Sequence, residues 1–447
     1  MLGEKSNDAT LRAQHSTRVN ALVSGAYDAA MQIARGAAAL APDGGGKLRA
    51  TFRARRDIRA RYAKWARESR DDARPLVWMH ASSVGEGLQA RPVLAGLLSA
   101  QPELQIAYTF FSPSAETFAR SLQVDFADYL PFDSRGDARA VLDALRPSVL
   151  AFSKLDVWPA LVAAAHARGV RLALVSATLS AHSKRRSVIS AALTRDAYSI
   201  LDAVGAIDEA DAERLAGIGV RREAITITGD TRYDQVWARA RAIADREPLL
   251  APLRSDRATL VAGSTWPADE RELLPAWIAT RARVPGARLI IAPHEPTANH
   301  LAPIERWASG HGLAVARTSA GDPARTADVL LVDGVGMLGD LYTLASVAYV
   351  GGGFHDAGLH SVLEPAAFGV PVLFGPKHES SRDARLLAAC GGGTPVATGV
   401  ALGAQLTEWL TNSAARADAG ASARTMVERG TGASARSVAL IERLLSA

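Results

Sequence analysis

Glu86 follows a short apolar run, in HASSVGEGLQARPVL (residues 80–94), where Gly85 permits a tight turn and helical spacing begins. Open α/β sheets bind ligands beyond the carboxyl ends of their strands, so a carboxylate at that point faces the expected site. Burial would raise its pKa toward that of a general base acting on a hydroxyl. The position equally suits a plain first-turn acid favoured by the helix dipole. Further along, Gly263, Ser264 and Thr265 in AGSTWPADE (262–270) stand between a strand and a helix. Backbone N–H groups and hydroxyls there can hold phosphate oxygens, or the hydroxyls can simply cap the helix. In VGGGF (350–354) the glycines Gly351, Gly352 and Gly353 follow a strand, and His360 and Glu364 come next, spaced i, i+4. At a helix start that spacing gives one polar face, suited to a phosphate and a ribose or sugar. Neither G-x-G-x-x-G nor G-x-x-x-x-G-K-[ST] occurs in these loops, which excludes the standard dinucleotide and P-loop readings.

Strands must end at those loops for the residues to work together. Short apolar runs PLVWMHA (75–81), QIAYTFF (105–111), SVLAFS (148–153) and RLALVSA (171–177) alternate with amphipathic stretches, as βαβ units do. A charged helical stretch at 230–251 precedes a second series: TLVAGS (259–264), ARLIIAP (287–293), DVLLVD (328–333), VAYVGG (347–352) and PVLFG (371–375). Near-continuous apolar strands are what parallel strands buried on both faces require. The pattern predicts an α/β chain of two Rossmann-like, doubly wound domains, 73–236 and 237–415, facing a cleft. A helical segment (1–72) precedes them, and one closing helix within 416–447, over about 416–446, follows. The uncharged stretch 386–407 has Gly391 to Gly393 and Pro395, so strand and turn fit it better than a membrane span. Two similar halves, a glycine loop and a glutamate on the second half fit a nucleotide-sugar glycosyltransferase.

Composition sets outer limits. With 51 Lys and Arg against 46 Asp and Glu and 48% hydrophobic residues, the 447-residue chain is not of the disordered class. Cys390, the single cysteine, excludes an internal disulfide and a cysteine metal cage. The +5 charge is an N-terminal property, because residues 1–75 carry 15 basic and 8 acidic side chains. Ten basic residues lie between Lys47 and Arg70, with Arg49, Arg53, Arg56, Arg59 and Arg67 spaced along one side of a helix. A solvated helix, an anionic lipid surface and nucleic acid all remain open as its purpose. Upstream, Val19, Leu22, Val23, Tyr27, Met31, Ile33 and Leu40 give an amphipathic pattern. Asp28 and Arg35 interrupt it, so it is too short in apolar residues to span a bilayer; it suits the membrane interface or the protein's own core. No compact apolar stretch of a signal peptide follows the polar start, which places the chain in the cytoplasm.

The motifs together resemble the 3-deoxy-D-manno-octulosonic acid (Kdo) transferases over about residues 75–400. They are, in order, HASSVGEG (80–87), FFSPSAE (110–116), YLPFDS (129–134), KLDVWPAL (154–161), GDTRYDQV (229–236), AGSTW (262–266), IIAPHE (290–295), YVGGGF (349–354), GLHSVLEPAAFG (358–369) and FGP (374–376). The resemblance implies the two-Rossmann-domain fold called type B, an inverting reaction without an essential metal or cofactor, and an N-terminal membrane-associating helix. It implies CMP-Kdo as donor, a lipid A precursor as acceptor in lipopolysaccharide biosynthesis, an anionic membrane surface as partner, and no nucleic acid. The implied location is peripheral, on the cytoplasmic face of the inner membrane.

On this resemblance Glu86 falls on the family's V-G-E glutamate, the general base. His360 and Glu364 fall on its G-G-H-N-x-L-E motif, associated with the donor nucleotide, and Ser264 and Thr265 on its G-S-T motif. Gly263, the glycines 351–353 and His294 belong to the same loops. Departures mark the chain: Lys154, Leu155 and Asp156 stand where many members read E-T-E. Lys154 is either a surface lysine or a partner for an anionic sugar carboxylate or acceptor phosphate, with Asp156 beside it. Ser176 to Ser180 replace N-A-R-L-S, with Lys184, Arg185 and Arg186 close behind, and Ser361 replaces the asparagine of the H-N pair. Alternative readings are a same-fold nucleotide-sugar enzyme with another acceptor, an epimerase, or a non-enzymatic membrane- or nucleic-acid-binding paralogue.

Overall fold

The structure, a computed structural model, describes residues 25–34, 36, 47–180, 188–321, 323–356 and 358–446. It divides into two units, Met1–Gln235 with Gly432–Ala447, and Val236–Thr431. The first unit is built on β1 (Leu76–His80), β2 (Gln105–Phe110), β3 (Phe126–Tyr129), β4 (Val149–Ser153), β5 (Arg171–Ala177), β6 (Ala203–Ala206) and β7 (Ile225–Ile227). Their order, β3-β2-β1-β4-β5-β6-β7, is parallel throughout. The second sheet comprises β8 (Thr259–Thr265), β9 (Arg288–Pro293), β10 (Val315–Arg317), β11 (Val329–Leu331), β12 (Val347–Val350), β13 (Val372–Phe374) and β14 (Gly393–Pro395), in the order β10-β11-β9-β8-β12-β13-β14. This is the doubly wound arrangement expected of each half. Chain direction across each sheet reverses outward from its first strand, β1 or β8, and the loops carrying Glu86 and Ser264 leave those two strands.

Packing follows from composition. Every residue of β1, β2 and β4 is buried, as the apolar runs require of strands covered on both faces. The strands that the apolar pattern did not mark are β3, β6, β7, β10 and β14. Four of these are sheet edges, three to four residues long, where one side needs no cover and the hydrophobic signal fades.

The single closing helix expected over about 416–446 is two helices, Ser413–Arg429 and Ala433–Leu445. Gly432, at φ 89°, breaks them, and the carboxylate of Asp234 accepts the N–H groups of Gly432 (2.6 Å) and Ser434 (2.8 Å). The second helix thereby returns to the first unit and packs on the helix Val84–Ala100. Gly96 permits that approach, since a Cβ there would lie 2.7 Å from Val438.

The basic stripe is also divided. Helices Lys47–Arg53 and Ile58–Ser69 are separated by a turn in which Asp57 takes φ 55°, so no single helix aligns its arginines. Arg55 is buried and donates to the carbonyls of Leu130 (2.8 Å), Thr51 (2.9 Å) and Phe111 (2.9 Å), with the Phe111 ring 4.0 Å from its guanidinium. Arg59 pairs with Asp137 and Arg61 with Asp128. These cations staple the segment to its own domain, while Arg49, Lys64 and Arg67 stay exposed. Residues 25–34 are helical; Tyr27 donates to Asp133 (3.0 Å) and Ile33 is exposed. Val19, Leu22, Val23 and Leu40 lie outside the described residues, as do Lys184 to Arg186. No helix among the described residues is long and apolar enough to cross a membrane.

Candidate active site

In the first unit β1 ends at His80, and Ser83 caps the helix Val84–Ala100 by accepting the N–H of Glu86 at 3.4 Å. Glu86 is thus fixed by the cap, in the first turn, as the sequence pattern requires. Burial raises its pKa, the charge of Asp156 raises it further, and Lys154 and the N–H groups of Ser82 and Ser83 pull it down. Its Oε2 is buried and has no hydrogen-bond partner among the described residues. The structure therefore brings Glu86, Lys154 and Asp156 into one electrostatic group. Lys154 follows β4, the neighbour of β1, in the left-handed region (φ 63°), and its N–H donates to Val175 O at 2.9 Å.

A polar network that the sequence pattern did not single out surrounds this group. Trp158 Nε1 donates to His80 Nε2 at 3.2 Å, which leaves the ring proton on Nδ1, facing Thr109 Oγ1 at 2.9 Å. His80 Nε2 is also 3.0 Å from Ser82 Oγ. Burial drives His80 down to about 4, so it is neutral and positions Ser82 and Trp158 rather than exchanging protons. Trp158 begins the helix Pro159–His166, whose first N–H groups, Ala160 and Leu161, donate to the buried Asp133 at 2.9 and 2.8 Å. Tyr108, with a buried hydroxyl lacking a partner among the described residues, is pushed upward by burial and by the nearby charge of Glu86. His80, Asp133 and Trp158 all stand inside the quoted motifs; their service as a brace shows only once β1, β2 and β4 are adjacent.

In the second unit β8 ends in a bulge at Ser264, which takes φ 54°, and the helix Pro267–Arg283 follows. Thr265 is buried and its hydroxyl donates to Glu270 at 2.9 Å. The glycine loop is drawn tight against this turn. Gly351 N–H donates to Gly263 O (2.9 Å), and Gly352 N–H to the carboxylate of Asp269 (2.8 Å). A Cβ on Gly351 would meet Ser264 O at 2.2 Å, and one on Gly352 would meet Gly358 O at 2.2 Å. A Cβ on Gly353 would meet Gly375 N at 2.4 Å, so all three glycines are required by close backbone approach, and the N–H groups of Gly351 and Gly352 are occupied inside the protein. Asp269 is fully buried and also accepts from Trp266 N–H (3.0 Å), Tyr349 hydroxyl (2.8 Å) and Phe354 N–H (3.2 Å). Its three-residue spacing from Trp266 is that of an N-cap and its N3 acid, the one sequence signal for it.

His360 and Glu364 do not share a helical face. The helix is Leu363–Ala367 only, because Pro365 has no N–H to bond Ser361 O and its ring obstructs that carbonyl. His360 instead joins Trp266 and His294. Trp266 Nε1 donates to His360 Nε2 at 3.2 Å, and the two imidazole centroids are 4.7 Å apart. The indole is sandwiched by His294 and His355, each 4.4 Å away. Burial, followed by repulsion from His294, holds His360 below the ordinary histidine range, so it is neutral with its proton on Nδ1. His294 and His355 stack on the indole while the planes of His294 and His360 are tilted by 35°, and no group of His, Cys, Asp and Glu among the described residues is placed to hold a metal. Glu364 lies in a separate network: Arg239 approaches it at 3.6 Å and pairs with Asp340 at 2.8 Å. Burial raises the Glu364 pKa against the pull of Arg239. Tyr342, whose hydroxyl would lie 2.1 Å from a Cβ on Gly263, is itself raised by burial and by Glu364.

The model of the 3-deoxy-D-manno-octulosonic-acid transferase (kdotransferase) family matches residues 56–235, the first unit from its second basic helix onward. The 3-deoxy-D-manno-octulosonic acid transferase of Bordetella pertussis is 33% identical over 319 residues, covering 69% of this chain and 73% of that protein. The one of Chlamydophila psittaci is 30% identical over 315 residues, covering 69% and 71%. The chain belongs to the Kdo transferase family. It is a glycosyltransferase, and Glu86, Asp156 and the brace around them lie within the matched segment. Among solved structures, UDP-GlcNAc 2-epimerase from Neisseria meningitidis bound to UDP-GlcNAc aligns with a TM-score of 0.59 at 13% identity, covering 82% of this chain and all of that one. At that identity the likeness is of fold, the type B arrangement of two Rossmann-like domains, and assigns no reaction.

Proposed function

We propose that the transferase moves Kdo from CMP-Kdo to a hydroxyl of a lipid A precursor, by direct displacement with inversion. Family membership supports the sugar and the reaction class. The observation that carries the catalytic assignment is Glu86, raised by burial, with a buried carboxylate oxygen that no group among the described residues satisfies. In this reading that oxygen takes the proton of the acceptor hydroxyl as the hydroxyl oxygen bonds to the anomeric carbon of Kdo. The bond from that carbon to the CMP phosphate oxygen breaks, and CMP leaves with the electron pair. Lys154 faces the anionic groups of the sugar or acceptor, and Asp156 helps keep Glu86 basic. In the second unit the Ser264 turn, the start of the helix Pro267–Arg283 and the Nδ1–H of His360 meet the phosphate, with Glu364 and Arg239 beside the nucleoside. The glycines 351–353 and Gly263 let these parts approach. Exposed basic residues of the N-terminal segment hold the enzyme at the cytoplasmic face of the inner membrane, where an anionic lipid acceptor resides.

The test is transfer from CMP-Kdo, generated in situ, to a tetraacylated lipid A precursor, with product mass giving the number of sugars added. Glu86→Gln is expected to lower kcat by about 10²–10⁴, the usual worth of a general base. The acid limb of the pH profile should vanish with it. A Glu86→Gln enzyme within threefold of wild type would overturn the base assignment; no transfer to any lipid A precursor, with CMP still bound, would overturn the acceptor.

A further inference from the structure

At the end of the second sheet remote from the donor loops, where β8, β9 and β12 begin, lies a polar pocket of about 380 Å³. Four guanidinium groups line it: Arg254, Arg257, Arg288 and Arg325. Two have local counter-charges, since Glu247 takes Arg254 at 2.7 Å and Asp328 takes Arg257 at 2.6 Å. Asp328 is shared with Arg281 at 2.8 Å. Arg288 has no carboxylate partner among the described residues, though it is 1% exposed. Its two Nη groups donate to the carbonyls of Leu253 and Ala324, both at 2.6 Å, and its buried Nε–H meets no acceptor.

A buried cation capped only by carbonyls, with a donor left over, is costly unless an anion completes it. Arg55 supplies the contrast. It too is buried without a carboxylate partner, but its three nitrogens all donate to carbonyls and an aromatic ring covers it. Arg288 instead lines a pocket whose rim carries the exposed Arg325, which has no ion pair among the described residues. Asp256 is the one carboxylate on the lining, and Ser255 and Ser346 add hydroxyls. Guanidinium groups and hydroxyls around a small polar volume match a phosphate group, whose oxygens accept several charge-assisted hydrogen bonds at once.

We propose that this pocket is a second anion site, distinct from the donor loops, which takes a phosphate group, either free or on a larger molecule such as a lipid. Calorimetric titration of the full chain with inorganic phosphate, at ionic strength fixed with chloride and in saturating CMP, tests the free form. Vesicles with and without phosphatidic acid test the lipid-borne form. Binding that Arg325→Glu and Arg288→Met weaken tenfold or more is expected in one arm at least, the vesicle arm being measured with Arg49, Lys64 and Arg67 reversed to Glu so that the N-terminal cations do not supply it. Arg325 is exposed and unpaired, so its variant keeps the reading valid if Arg288→Met does not fold; Ser346→Ala is a second, milder probe. The proposal is overturned by any of three results: neither arm shows binding, Arg325→Glu binds within twofold of wild type, or phosphate binds only when CMP is left out.

Discussion

Asp269 should be the residue on which the proposed donor half of the site most depends, although it touches no reacting atom. Its carboxylate accepts four hydrogen bonds. Oδ2 takes Trp266 N–H and Gly352 N–H, and Oδ1 takes Tyr349 hydroxyl and Phe354 N–H. In Asp269→Asn one oxygen becomes an NH₂; on the Oδ1 side it faces the Phe354 N–H, donor against donor, while the Tyr349 hydroxyl can turn to accept from it, and the two N–H groups on the remaining oxygen lose their charged acceptor. Hydrogen bonds to a charged acceptor are worth about 1.5–3 kcal/mol each and neutral ones about 0.5–1.5 kcal/mol, so losing one and weakening two costs roughly 3–6 kcal/mol. Tyr349→Phe removes one and should cost about 1.5–3 kcal/mol. Because the losses fall on the turn at Trp266 and the loop at 352–354, they should appear there first. Hydrogen exchange at the Gly352 and Phe354 amides should quicken by about 10² or more, with CMP affinity falling alongside. The amides of β1, in the other unit, should keep their protection. If Asp269→Asn exchanges these two amides as slowly as wild type, the carboxylate does not hold the loop and the reasoning fails.

Other consequences are open to measurement. His80 is buried and neutral, with its pKa drawn from 6.5 to about 4, so the unfolded chain binds its proton first. Its share of stability is complete above about pH 6.5 and is lost as pH falls toward 4, roughly 3 kcal/mol in all. Denaturant titrations from pH 7 to 4.5 should therefore show a shallower acid loss in His80→Gln than in wild type; parallel curves would refute it. Gly352→Ala places a Cβ 2.2 Å from Gly358 O at φ 94°, and should abolish CMP binding and destabilise by more than the roughly 1 kcal/mol of an ordinary glycine replacement; a variant with wild-type affinity would refute it. For the N-terminal segment, reversing the exposed Arg49, Lys64 and Arg67 to Glu should weaken binding to anionic vesicles by well over tenfold, at about 1 kcal/mol per cation near the surface. Arg55→Met should lower stability and leave vesicle binding unchanged; equal effects of the two variants on binding would show the division between anchoring and structural cations to be wrong.

What the sequence determined by itself is whatever depends on local pattern. Buried parallel strands must be apolar along their whole length, so the runs at 76–80, 105–110 and 171–177 declared themselves, and with them the strand-end loops that carry Glu86, Ser264 and the three glycines. A first-turn acid is likewise a local feature, which is why the position of Glu86 at a helix start was legible, whereas the Ser83 cap that holds it was not singled out. The edge strands were not, because exposure on one side relaxes the demand for apolar residues. Tertiary structure alone decided who partners whom. The i, i+4 spacing of His360 and Glu364 promised a shared face, but Pro365 starts the helix too late, and the two residues enter different networks with Trp266 and Arg239. The ten cations between Lys47 and Arg70 look alike in sequence, yet Arg55 is consumed by carbonyls 56 and 75 residues away while Arg49 and Arg67 remain at the surface. The physical reason is common to these cases: a charge, a hydrogen bond or a backbone approach acts over a few ångströms, and folding sets those distances between residues that the chain keeps far apart.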